Sequence, residues 1–168
     1  HGALSLILED GDRRLYRVSV GGRPAWIAHA FLVAPGQQAA IDRTAAPALD
    51  PMATAVLEQV PDPLPAPAAG PEDVRVTLFG QQRIAVEADL SSPGVLVLSE
   101  LAYPGWTVRV NGRPAAALRA YGVFRAVALP AGRWQVEWRY EPVSARAGMA
   151  LSALTLLGLG LSRVLTIS

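Results

Sequence analysis

Cysteine is absent from this 168-residue chain. Disulfides, thiolate nucleophiles and cysteine-held metals are therefore excluded. Lysine is absent too, since all 15 basic residues are arginine. Schiff-base chemistry goes with it, and the guanidinium is left as the permanent side-chain cation. Apart from the terminal His1, the sole histidine is His29, in an apolar segment. A histidine metal site would lack its second ligand. The net charge of +1 comes with no basic run or patch, so no nucleic-acid partner is expected. Phosphate loops, dinucleotide fingerprints and serine elbows are missing, and no cofactor is implied. Asp10, Asp12, Asp42 and Asp50 fall in turns without the spacing of a calcium loop.

What the chain has in quantity is apolar residues, 51% of the total, with a mean hydropathy of +0.27. The excess lies mostly at the C-terminus. From Ala147 to Ser162 the sequence AGMALSALTLLGLGLS carries no charge and offers no polar stripe. As a helix it would span about 24 Å, short of the ~30 Å hydrocarbon core. Snorkelling of Arg163 and continuation through VLTIS would complete the crossing. The expectation is a C-terminal transmembrane helix over residues 143–168, with a buried helix packed on the sheet as the alternative. Arg163 at the far end favours that end as cytoplasmic, which puts the preceding domain outside the cytoplasm.

The rest reads as strands. RLYRVSV and AWIAHAFLV, Ala25–Val33, come after the Asp-Gly turn of Glu9–Arg14, and the second is apolar on both faces like an internal strand. A short helix is predicted near Gln37–Thr44, and Thr54–Val60 returns to strand. Residues 61–71 hold five prolines and read as a semi-extended linker. Beyond it, DVRVTLF points Val74, Val76 and Leu78 inward, and RIAVEADL does the same with Ile84, Val86, Ala88 and Leu90. GVLVLSE looks like a buried central strand. WTVRV leads into Asn111-Gly112, the pair that a two-residue type I′ hairpin requires, and AAALRA pairs back. VFRAVAL and RWQVEWRY come next, the latter burying Trp134, Val136, Trp138 and Tyr140 on one face. Short strands without a βαβ pattern predict an all-β, antiparallel β-sandwich of jelly-roll or Ig-like type. Residues 1–60 add strands and a short helix that pack with it, and residues 72–142 form its main body.

Candidate ligand residues cluster around LAYPGW. Tyr103 and Trp106 flank a Pro-Gly corner and could stack on sugar rings. Trp106 is also in phase with Val108 and Val110, which would turn it into the core. Glu100 ends the central strand and could accept sugar hydroxyls or act as an acid, but no second carboxylate has the spacing to pair with it. Arg119, Tyr121 and Arg125 flank AYGV, where arginines could meet phosphates or simply form surface ion pairs.

The string VLVLSELAYPGWTVRVNGRPAAALRAYGVFRAVALPAGRWQVEWRYEP, with an apolar segment after it, resembles the C-terminal region of YfhO-like bacterial membrane proteins. Upstream, LYRV, GRPAWIAHAF and LDPMATAVLE are similar as well, so the likeness runs from about Leu15 to Leu161. These are multi-pass proteins related to GT-C glycosyltransferases, whose donor is a lipid-linked sugar and whose catalytic acid lies in an early extracytoplasmic loop. The resemblance implies a part of such a protein, as does the start at His1 without an initiator methionine, and no catalytic residue carries over. Expected partners are membrane lipid, the parent's upstream transmembrane helices, and glycan or lipid-linked sugar. The alternatives are a non-enzymatic carbohydrate-binding module or a structural lid.

Overall fold

The computed structural model describes the backbone of residues 4–10 and 13–18, and residues 23–142 in full. The predicted membrane helix over 143–168 lies outside the described residues. Among those described, no helix is long and apolar enough to cross a membrane.

Two sheets face each other. One has five strands in the order β10 (Arg113–Ala115), β9 (Trp106–Val110), β13 (Gly132–Tyr140), β7 (Arg83–Leu90) and β6 (Asp73–Phe79). The other has six, in the order β3 (Ala25–Ala28), β8 (Gly94–Leu101), β12 (Phe124–Leu129), β11 (Leu118–Ala120), β5 (Thr54–Leu57) and β4 (Ala30–Val33). A separate hairpin joins β1 (Leu4–Asp10) to β2 (Arg13–Val18). The helix, α1, covers Gln37–Thr44 as the sequence predicts.

Period-two patterning explains the layer between the sheets. Ile84, Val86, Ala88 and Leu90 of β7 are all buried, as are Val136 and Trp138 of β13. They meet Leu96, Leu98, Val127 and Leu129 from the six-stranded sheet. The other face of β8 carries Val95 and Val97 into a second core, with Trp26, Tyr121 and Ala126. With a core on each face, β8 is the buried central strand its unbroken apolar run predicts.

The single strand expected over Ala25–Val33 is two. β3 ends at Ala28, β4 starts at Ala30, and they occupy opposite edges of the six-stranded sheet. One residue, His29, bridges them, and two residues of chain reach at most about 7 Å. The two edges must therefore come together, so the sheet is rolled. Rolling is what lets Trp26 of β3 stack on Tyr121, just past β11, at 6.2 Å between ring centroids. β4 and β5 pair in parallel, with α1 as their crossover. That corrects the expectation of purely antiparallel pairing. The sequence hides this β-α-β unit because its strands are only four residues each.

Three further boundaries differ. Register slips between Val76 and Leu78, and Leu78 turns outward at 42% exposure. A bulge of this kind reverses the phase of the residues beyond it. AAALRA splits: β10 closes the Asn-Gly hairpin, whereas β11 crosses to the other sheet. β5 stops at Leu57, leaving Val60 exposed. The hairpin itself is as predicted, with φ of 48° at Asn111 and 77° at Gly112. The proline-rich stretch forms no element, yet it is pinned down, with Ala66 N–H donating to the Pro93 carbonyl at 2.9 Å.

Candidate functional site

Arg125 is the structural centre of the candidate site. It stands on β12 in phase with Val127 and Leu129, so its side chain enters the layer between the sheets rather than solvent. Only 4% of the residue is exposed. Register with β8 slips between Phe124 and Arg125, a bulge that brings the end of β8 around the guanidinium. Nε–H donates to the Leu101 carbonyl at 2.9 Å. The guanidinium carbon lies 3.6 Å from the centroid of the Trp106 ring, a cation–π contact. Glu100 is the nearest carboxylate, with Oε2 3.9 Å from Nη2, too far for a hydrogen bond. Burial lowers the Arg125 pKa, and the Glu100 charge only partly offsets it. Nη1 is buried with no partner, as are the indole N–H groups of Trp106 and Trp138.

Around this cation the chain builds an aromatic wall. Gly105 takes φ +100°, and a Cβ there would come within 2.8 Å of the Tyr140 ring. Glycine therefore lets the Pro-Gly corner close onto β13, with Glu141 N–H donating to the Gly105 carbonyl at 2.6 Å. The corner sets Tyr103 edge-on to Trp106 at 6.4 Å and to Tyr140 at 5.7 Å. Tyr103 remains 48% exposed. Trp106 is half-buried, neither a free platform nor a full core residue.

Two clefts flank this wall, and Tyr103, Trp106 and Arg125 line both. The first, about 310 Å³, adds Glu58, Gln59 and Arg119. The second, about 330 Å³, adds Phe79, Ile84, Glu100 and Leu101. Arg119 stands directly opposite Arg125 across β11 and β12. Like charges so placed repel. Arg119 has its own partner, donating to Glu58 at 3.3 Å, whereas Arg125 has the longer ion pair with Glu100 at 3.9 Å.

Five of the six predicted residues thus meet: Glu100, Tyr103, Trp106, Arg119 and Arg125. Tyr121 does not join them. It lies in the second core at φ +55°, stacked on Trp26, and its hydroxyl donates to the Pro51 carbonyl at 2.6 Å. Burial pushes that hydroxyl up to about 12, so it stays a donor. The sequence reading missed Tyr140, Phe79 and Leu101 as site residues. Arg125 was named only as a flank of AYGV, and its inward register, in phase with Val127 and Leu129, was the stronger signal. No cluster of metal-ligating side chains exists among the described residues.

His29 lies at the opposite end of the sandwich. Its Nε2 meets Glu72 Oε2 at 2.7 Å and its Nδ1 meets the Ala66 carbonyl at 2.6 Å. Glu72 also accepts from Ser91 N–H and Oγ–H at 2.9 and 3.0 Å. Burial lowers the His29 pKa, but the carboxylate and carbonyls outweigh it and the net shift is upward. For Glu72, burial raises the pKa and the His29 and Ser91 bonds outweigh it, so the net shift is downward. This group straps the proline-rich stretch to the sandwich, and it is not a catalytic relay, because Ser91 bonds Glu72 and not the imidazole.

No family model, curated protein or solved structure matches the chain.

Proposed function

We propose that this chain is an extracytoplasmic accessory domain of a YfhO-like multi-pass membrane protein, tethered by residues 143–168 and supporting sugar transfer from a lipid-linked donor to a cell-envelope glycan. The observation that carries this reading is the crowding of one pole. Residues 23–24 enter the sandwich there, since Ser99 N–H donates to the Pro24 carbonyl at 2.9 Å. Pro142 leaves there, beside Gly105. The same pole exposes Phe79 at 60%, Leu101 at 59% and Tyr103 at 48%. Exposed aromatic and aliphatic side chains grouped beside a link to an uncharged 16-residue run suit a headgroup boundary. Both clefts open at that pole, where a lipid-linked sugar would pass. An aromatic wall with a carboxylate and arginines also suits a non-enzymatic glycan-binding module, and the exposed Tyr103 ring favours that second reading.

Side of the membrane is directly testable, because the chain has no cysteine to interfere. Ala131→Cys, in the exposed β12–β13 turn at the far pole, should react with a membrane-impermeant maleimide in intact cells expressing the full chain within its parent protein, beside a control that lacks the Ala131→Cys change. Labelling only after lysis would refute an extracytoplasmic domain.

A further inference from the structure

We propose that Arg125 is the anchor of a phosphodiester site that spans the two clefts. The proposal deepens the accessory-domain reading by naming a ligand chemistry, but it stands on the geometry of Arg125 and needs no membrane. A guanidinium is a permanent cation whose planar fork matches phosphoryl oxygens. Here it is almost wholly buried, keeps one nitrogen without an acceptor, and has its nearest carboxylate 3.9 Å away. Buried charges are ordinarily paired at hydrogen-bond distance, and even the partly exposed Arg119 one strand away has such a partner in Glu58 at 3.3 Å. Two indole N–H donors, on Trp106 and Trp138, are buried nearby and equally without acceptors. The deficit is thus one of acceptor oxygens within hydrogen-bond distance, next to a cation whose nearest carboxylate stands off at 3.9 Å.

The shape of the surroundings selects among anions. A carboxylate has one substituent and would fill one cleft. A phosphodiester has two, and Arg125 lies on the wall between two clefts. Glu58, Gln59 and Arg119 line one side together with Pro104 and Leu118, and Phe79, Ile84 and Leu101 line the other together with Glu100 and Gln81. Each cleft is of mixed apolar and polar lining and would receive one substituent of the diester. Nη1 is closed off as the structure stands, and Tyr103 is the exposed side chain common to both clefts. Outward rotation of Tyr103 is the movement that admits the ligand.

The test uses the full chain in neutral detergent, titrated by calorimetry. The probes are inorganic phosphate, glycerophosphoglycerol, dihexanoylphosphatidylglycerol below its micellar concentration, and an uncharged oligosaccharide. Saturable binding in the millimolar range or tighter is expected for a diester. Arg125→Gln should weaken it at least about tenfold. Glu100→Gln removes the competing carboxylate and should tighten it severalfold, a gain that a misfolded variant cannot mimic. Binding of glycerophosphoglycerol identifies a soluble diester, whereas binding of the lipid alone identifies a headgroup, and either supports the site. Binding of the oligosaccharide alone, no binding of any phosphate, or affinities unmoved by both substitutions overturns it. The maleimide experiment reads topology only, so either result can fail without the other.

Discussion

Each pole of the sandwich draws a basic side chain inward, His29 partly and Arg125 almost wholly, and the two are treated differently. At the far pole His29 has an acceptor on each ring nitrogen, and its carboxylate partner is itself held by Ser91. At the near pole Arg125 has one carbonyl, one aromatic face and an unpartnered nitrogen. The first arrangement is complete within the chain, as expected of a group that holds structure together. The second is incomplete, and incompleteness in a buried cation is where a ligand adds most. The difference separates a strap from a site more surely than residue type does, since histidine is by type the commoner functional residue.

Substitution at the far pole should produce the larger effect. His29→Leu leaves the partly buried Glu72 beside an apolar side chain and frees the Ala66 carbonyl, with an expected loss of about 2 kcal/mol in denaturant unfolding at pH 6. The wild-type pH profile sharpens the contrast. His29 has its folded pKa raised above 6.5, so its contribution is full below 6.5 and lost as pH rises through the folded value. Glu72 has its folded pKa lowered below 4.5, so its contribution is full above 4.5 and lost as pH falls through the folded value. Stability should therefore peak between pH 4.5 and pH 6.5, and His29→Leu should flatten the alkaline limb. An unchanged limb would show that the strap does not hold the proline-rich stretch.

At the near pole the expected effect is small. Arg125→Met fills similar volume, removes a buried charge whose carboxylate partner stays 3.9 Å away, and forfeits one hydrogen bond and one cation–π contact. These opposing changes should leave stability within about 1 kcal/mol of wild type. A loss as large as that of His29→Leu would make Arg125 a structural residue and erase the contrast between the poles.

Much of the fold was legible where one face is buried. RIAVEADL and RWQVEWRY alternate cleanly because each lies in the middle of a sheet with one face on the core and one on solvent. The Asn-Gly hairpin was legible because few other pairs tolerate two successive positive φ values. The rolled sheet was not. AWIAHAFLV reads as one run, and nothing local to His29 announces that the chain jumps between sheet edges there. Pairing partners are set by the closure of the whole sheet, a long-range property. The site was partly legible for the same reason. Local phase put Trp106 in line with Val108 and Val110, where it ends half-buried, but the inward register of Arg125 went unread and only the bulge in β8 and β12 brings Glu100 beside it. Tyr121 stands apart from the other five because its loop folds back into the second core, where its hydroxyl meets the carbonyls of Pro51 and of Thr54 at the start of β5.

The most direct test concerns where the near pole sits. The full chain carrying a single spin label, at Phe79→Cys or at Ala131→Cys, would be reconstituted in anionic lipid vesicles and its collision rates with oxygen and with a water-soluble nickel complex compared. Contact of the Arg125 pole with the bilayer predicts oxygen-rich, nickel-poor collisions at position 79 and the reverse at position 131. Equal, water-like behaviour at both positions would contradict it.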